Sequence, residues 1–164
     1  MNKLSTHLQF FSRILCPAVI SLLIASGSST AIAASNPDSC ALLKPADLTA
    51  LLGGTPIATN IRGNCNWAAS GSTKKLIALK YKHTGSAAEM AFAGARKNSS
   101  KGGKVTDETG LGDKAFSTTS SFGVTMMVIK QGRLIQLMLM TGQAGTAKDL
   151  DALRPVAKKA IAAF

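Results

Sequence analysis

The chain is poor in the residues from which most catalytic sites are built. It has two histidines, His7 and His83, and eight acidic residues against 19 lysines and arginines. So few imidazoles exclude a His-rich metal centre, and the H-E-x-x-H, P-loop, G-x-S-x-G and dinucleotide fingerprints are all missing. The acids are scattered: only Asp107-Glu108 and Asp149/Asp151 are close in sequence, and side chains one or two apart do not converge on a helix face. Asp107, Glu108 and Asp113 flank Gly110 and Gly112, but the spacing departs from the calcium-loop pattern, so turn formation is their expected role. Aromatic residues make up only 5% of the chain, too few to interleave with a basic surface for stacking on single-stranded nucleic acid. Tyr81 alone sits among lysines, and strand alternation puts it opposite Lys80 and Lys82. No cofactor and no metal is implied.

A long apolar run is missing too. The stretch 14–25 is broken by Pro17 and Ser21 and gives way to small polar residues, short of the roughly 20 apolar residues a membrane-spanning helix needs. It follows a segment, 1–13, that carries Lys3 and Arg13 and no acid, and it leads to Ala31-Ile32-Ala33. That order is a signal peptide, 1–33, with cleavage expected after Ala33. A lipid-acceptor motif is lacking, because Cys40 follows Pro37-Asp38-Ser39 and Cys16 has no apolar region before it. The expected product is a soluble periplasmic or secreted protein with a short polar lead, 34–39, and a single domain, 40–164.

Export changes two counts. Of three cysteines, Cys16 leaves with the signal, so Cys40 and Cys65 remain as an even pair in an oxidising compartment and are expected to be bonded. Their separation is unlike C-x-x-C, which argues against a redox pair or a metal site. Loss of Lys3 and Arg13 leaves 17 basic and eight acidic residues, a net charge of about +9. Such a balance favours an acidic protein or an anionic envelope polymer, and its plain alternative is solubility. The candidate surface has two groups: Lys74, Lys75, Lys80 and Lys82 on or beside one strand, and Arg96, Lys97, Lys101 and Lys104 after a helix.

The pattern along the chain predicts an α+β fold of order α-β-β-α-β-β-β-α, with a largely antiparallel sheet packed by helices and one disulfide. Pro45, Asp47, the face Leu48/Leu51/Leu52 and Gly53-Gly54 mark a first helix within 42–54. A connection is expected over 55–64, then a strand that places Cys65 and Trp67 on one face, with Trp67 against the disulfide. Ile77, Leu79 and Tyr81 alternate with Ala78, Lys80 and Lys82 as a half-buried strand. Ser86 and Glu89 predict a capping box opening a second helix to Asn98. A strand containing a turn or bulge at Gly110-Leu111-Gly112-Asp113 precedes a hairpin over 122–140.

A two-residue loop at Gln131-Gly132 would pair Val128 with Ile135, Met126 with Leu137 and Val124 with Leu139 as a core face; Gln suits that turn poorly, so a longer bulged loop stays open. The opposite face carries Met127, Ile129, Leu134, Met138 and Met140. It is either covered by other elements or a Met-rich groove. Leu150, Leu153, Ala157, Ile161 and Phe164 mark a C-terminal helix, with a kink or restart expected at Pro155.

Cys40-Ala41-Leu42-Leu43, Pro45-Ala46-Asp47-Leu48, Cys65-Asn66-Trp67 and Gly110-Leu111-Gly112-Asp113-Lys114-Ala115 together resemble a class of small exported domains of unknown function found in actinobacterial lipoproteins. The resemblance implies a disulfide-pinned α+β fold and brings no catalytic residues with it. The chain differs from that class in having no lipid-acceptor cysteine. These features together predict a non-enzymatic exported binding module with a basic surface. A periplasmic inhibitor or immunity protein, recognised by a convex rigid patch, and an envelope-acting hydrolase, recognised by a pocket of converging polar groups, are the competing expectations.

Overall fold

The computed structural model describes residues 38–71, 75–83 and 85–164, without the side chains of Lys82, His83 and Ser86. The segment expected to be a signal peptide and most of the expected polar lead lie outside the described residues. A 3-10 turn, Ser39–Leu42, opens the domain, followed by α1 (Pro45–Leu52), β1 (Pro56–Ile61), β2 (Asn64–Ala69), β3 (Leu76–His83), α2 (Ala88–Ser99), β4 (Val105–Asp107), β5 (Lys114–Ser120), β6 (Gly123–Lys130), β7 (Arg133–Met140) and α3 (Ala147–Ala162). The strands form one antiparallel sheet of order β1-β2-β3-β7-β6-β5-β4. The α+β class is as expected, with seven strands among the described residues in place of five. The segment expected to be a connection forms β1, and the strand expected to pass through Gly110-Leu111-Gly112-Asp113 is two strands, β4 and β5, with those residues between them.

Local chemistry accounts for the ends of the helices. Pro45 starts α1, Asp47 Oδ2 accepts the Lys44 N–H at 3.1 Å, and Gly53 ends the helix at φ +77. Thr146 and Asp149 cap α3 reciprocally, with Asp149 Oδ2 accepting the Thr146 N–H at 2.9 Å. The box expected at Ser86 and Glu89 does not open α2. A 3-10 turn over Gly85–Ala87 moves the cap to Ala87, and the Glu89 carboxylate instead takes Lys114 Nζ at 2.8 Å. No restart occurs at Pro155, and α3 runs unbroken through it. Pro155 and Asp151 are both exposed, so the carbonyl that loses its helical donor lies on the solvated side of the helix.

The hairpin β6–β7 has the two-residue loop, and its register is the one that pairs Val128 with Ile135, Met126 with Leu137 and Val124 with Leu139. Gln131 and Gly132 both take positive φ, 51° and 68°, the signature of a type I′ turn. The strained Gln131 is held by Asp113, whose Oδ2 accepts its N–H at 2.7 Å. That contact replaces the bulged loop, because a carboxylate from the β4–β5 connection supplies what the turn sequence lacks.

The core lies on the inner face of the sheet, under α1 and α3. Cys65, Trp67, Ile77, Leu79, Tyr81, Val124, Met126, Val128, Ile135, Leu137 and Leu139 meet Leu48 and Leu52 of α1 and Leu153, Val156, Ala157 and Ile161 of α3. Cys65 and Trp67 share this face, and the Cys40–Cys65 bond ties the 3-10 turn to it. Phe164 completes the margin edge-on to Tyr81, 5.6 Å between ring centroids, with the Arg133 guanidinium over its ring. Gly123 opens β6 at φ +147, where an added Cβ would stand 2.0 Å from the Leu139 carbonyl oxygen. Gly123→Ala is therefore expected to cost about 2–3 kcal/mol, read as a lower urea midpoint at unchanged slope.

Candidate functional site

Among the described residues, only half of the outer face of the sheet is covered. Helix α2 connects β3 to the edge strand β4, four interstrand steps away. Its 12 residues reach ~18 Å at 1.5 Å each, against ~19 Å for four steps of 4.8 Å. It therefore crosses the sheet once, burying Phe116, Met127, Ile129 and Leu134 beneath Ala88 and Phe92, with Phe92 edge-on to Phe116 at 5.0 Å. The remainder of that face lies beyond its reach.

Two adjoining depressions occupy this open half, and both are lined by Met138. One, of about 260 Å³, lies over β2, β3 and β7 between Ile61, Asn64, Asn66, Ala78, Lys80 and Gln136. The other, of about 200 Å³, lies between Phe122, Thr125 and Met140. Phe122, 69% exposed, stands at its margin. The Met-bearing face is thus divided: Met127 is roofed by α2, while Met138 and Met140 stay partly open.

The candidate basic residues fall in three places. Lys80 lines the first depression, and Lys82 follows two residues along β3, opposite Leu134. Lys97, Lys101 and Lys104 are exposed at the far end of α2, where Arg96 is paired with Asp107 at 2.8 Å. Lys75 belongs to the inner side, donating to the Leu51 carbonyl at the end of α1 at 3.3 Å. Lys74 lies outside the described residues.

Lys75 also lines a groove of about 370 Å³ between α1 and α3, together with Lys148, Lys159, Leu51, Pro155 and Val156. Asp47 neutralises one of these charges, accepting from Lys159 Nζ at 2.6 Å. That bond, with the Lys44 amide, holds the Asp47 carboxyl below the usual carboxylate range in spite of some desolvation. Lys148, Ala152, Pro155 and Lys159 recur at helical spacing along α3, so their common stripe was available to a helical projection of the sequence. Its meeting with Lys75 was not, because α1 and β3 are distant in sequence from α3.

All eight carboxylates are engaged within the domain. Asp47, Glu89, Asp107, Glu108 and Asp151 form ion pairs with Lys159, Lys114, Arg96 and Arg154, the last shared by Glu108 and Asp151. Asp38 accepts the Cys40 N–H and the Asn60 amide, Asp113 holds the Gln131 turn, and Asp149 caps α3. Among the described residues, no group of three metal-ligating side chains comes together, and no helix is long and apolar enough to cross a membrane. Lys80 and the methionines of the open face were legible in strand alternation. Asn64, Asn66, Ile61 and Phe122 were not, because they become neighbours of these only through sheet pairing. No protein-family model, no curated protein and no solved structure matches the chain.

Proposed function

We propose that this is an exported, non-enzymatic binding module that engages an acidic protein on the uncovered half of its outer sheet face. The observation that carries the reading is the engagement of every carboxylate inside the domain. An acid already committed to an arginine, a lysine or a helix cap is poorly placed to act as a general base. With the negative charges spent internally, the field at the surface is set by the remaining lysines and arginines, and it attracts anionic partners. The open face joins that charge to apolar contact: Lys80 stands beside Met138, whose flexible thioether adapts to varied partner shapes. Asn64, Asn66 and Gln136 add neutral hydrogen-bonding groups. The disulfide supports export, since such bonds persist in oxidising compartments.

The test is affinity capture from the native envelope with the oxidised protein, comparing charge reversals at two places. Lys80→Glu with Lys82→Glu is expected to abolish retention of acidic proteins, while Lys97→Glu with Lys101→Glu, at the far end of α2, leaves it largely intact. Retained proteins should elute as ionic strength rises. Retention unaffected by the Lys80/Lys82 reversal overturns the reading.

A further inference from the structure

The two edges of the sheet are built differently. Strand β4 is three residues long, ends in Asp107 paired with Arg96, and so offers little to a strand beside it. Strand β1 is six residues long and carries no charge, and five of its residues are exposed. Short length and charge are the ordinary protections of an edge strand; β1 has only Pro56 at one end. Among the described residues, no strand pairs with its far side. Ile57 and Ile61, 56% and 52% exposed, project from this edge on the outer face together with Thr59.

The phase of hydrogen bonding along β1 follows from its hairpin. Arg62 and Gly63 both take positive φ, 53° and 78°, in a two-residue type I′ turn, whose closing pair is hydrogen-bonded. The closing pair is Ile61 with Asn64, so Ile61, Thr59 and Ile57 direct their backbone groups to β2. The bond from the Ser70 N–H to the Thr55 carbonyl, 3.0 Å, continues the same phase. Ala58 and Asn60 therefore present their N–H and C=O groups outward, and Pro56, the next outward position, has no N–H to leave unpaired.

We infer that β1 is the interface for a second copy of this chain, paired antiparallel about a two-fold axis at Thr59. In that register Ala58 meets Asn60 of the second copy as a hydrogen-bonded pair, and the symmetry repeats it, for four backbone bonds. Thr59 meets its own equivalent in a non-hydrogen-bonded pair, and Ile57 meets Ile61 of the second copy on both sides of it. The exposed isoleucines are thus self-complementary, as a two-fold interface requires, and pairs of this kind stabilise a sheet. No charged residue of β1 opposes another, and Arg62 falls opposite Pro56. The axis is perpendicular to the sheet, so the two open outer faces become one continuous surface.

Sedimentation velocity of the oxidised protein over a range of concentrations tests the inference. The expected result is a reversible dimer, strengthened by salt because each protomer carries the same positive charge. Thr59→Lys sets two like charges together on the axis and is expected to raise the dimer dissociation constant at least about tenfold, without changing the thermal melt at concentrations low enough for both proteins to be monomeric. Ile57→Lys alone should dissociate the dimer, and adding Ile61→Glu should restore it, since in this register opposite charges then face each other twice. A protein that stays monomeric at every concentration and salt, or a dimer that Thr59→Lys leaves intact, overturns the proposal. Lys80→Glu lies two strands away and lowers the charge of each protomer, so it should leave the dimer no weaker, and failure of the interface and failure of acidic-partner binding are read separately.

Discussion

Removing the Cys40–Cys65 bond, by reduction or by replacing both cysteines with serine, is expected to cost about 3.5 kcal/mol of stability. The bond closes a loop of sequence separation 25, for which chain entropy gives about that value at 25 °C. For a domain of this size the loss corresponds to a fall in Tm of roughly 10–15 °C. Its structural consequence is local as well as global. The bond anchors the 3-10 turn Ser39–Leu42, where Ser39 Oγ donates to the Gly63 carbonyl at 2.6 Å and accepts the Tyr81 N–H at 3.3 Å. Released from Cys65, that turn holds Leu42 and Leu43 against the core less firmly. Hydrogen exchange should therefore quicken first at Tyr81 and around the β1–β2 hairpin. Thermal unfolding with and without reductant measures the main effect, and a change in Tm below a few degrees would show that the turn is held without the bond.

Glu108→Ala is expected to be the most costly single substitution of a charged residue, at about 2–3 kcal/mol. The Glu108 side chain is 5% exposed and takes Arg154 through two bonds, Nε to Oε2 at 2.7 Å and the second to Oε1 at 3.0 Å, while Ser117 Oγ donates to Oε1 at 2.7 Å. These contacts fasten the start of the β4–β5 connection to α3. Truncation strands the buried Ser117 hydroxyl and leaves Arg154 with Asp151 alone. Arg154 is 38% exposed and can be rehydrated, which places the cost at the lower end of the range for broken buried pairs.

Arg154 foremost, and Ser117 after it, hold the Glu108 carboxyl below its ordinary value of 4.5 against the opposing effect of burial. A depressed carboxylate stabilises the fold above its unfolded value, and that contribution is lost as pH falls through the folded one. Wild-type stability should therefore decline below about pH 4.5. Glu108→Gln, which keeps the acceptor for Ser117 but not the charge, should be less stable at neutral pH and show a flatter decline in acid. Urea titrations across this pH range make the comparison. Equal acid slopes in the two proteins would assign the decline to the other carboxylates.

The elements most legible in the sequence are those whose two faces differ. Strand β3 alternates Ile77, Leu79 and Tyr81 with Ala78 and Lys80, and the burial follows that alternation. Helix α3 places its apolar residues on one stripe, and its unbroken passage through Pro155 depended only on which side faced water. Strand β1 gave no such signal. Its inner positions Ala58 and Asn60 are small or polar, and its outer positions Ile57 and Ile61 are exposed, so no burial pattern marks it as a strand. What makes it one is the Arg62-Gly63 turn and pairing with β2, and Arg62 is as poor a residue for that turn as Gln131 is for the other. In both turns a side chain compensates: the Asn60 amide oxygen accepts the Gly63 N–H at 3.1 Å, and Asp113 accepts the Gln131 N–H.

Local matters were already legible in the chain: the cap and stop of α1, the inward set of each central strand, and the pairing of Cys40 with Cys65, whereas the register of β6 against β7 waited on the contact of Asp113 with the Gln131 turn. The legible ones depend on residues near one another or, for the cysteines, on the expected loss of Cys16 with the signal segment. Tertiary structure alone decided which half of the Met-bearing face stays open, because that rests on the length of α2 against the width of the sheet. It also decided that every carboxylate is spent internally, since Glu108 meets Arg154 and Asp47 meets Lys159 across separations of 46 and 112 residues. Alternation can assign a side chain to a face, but what covers that face is set by where the chain goes next.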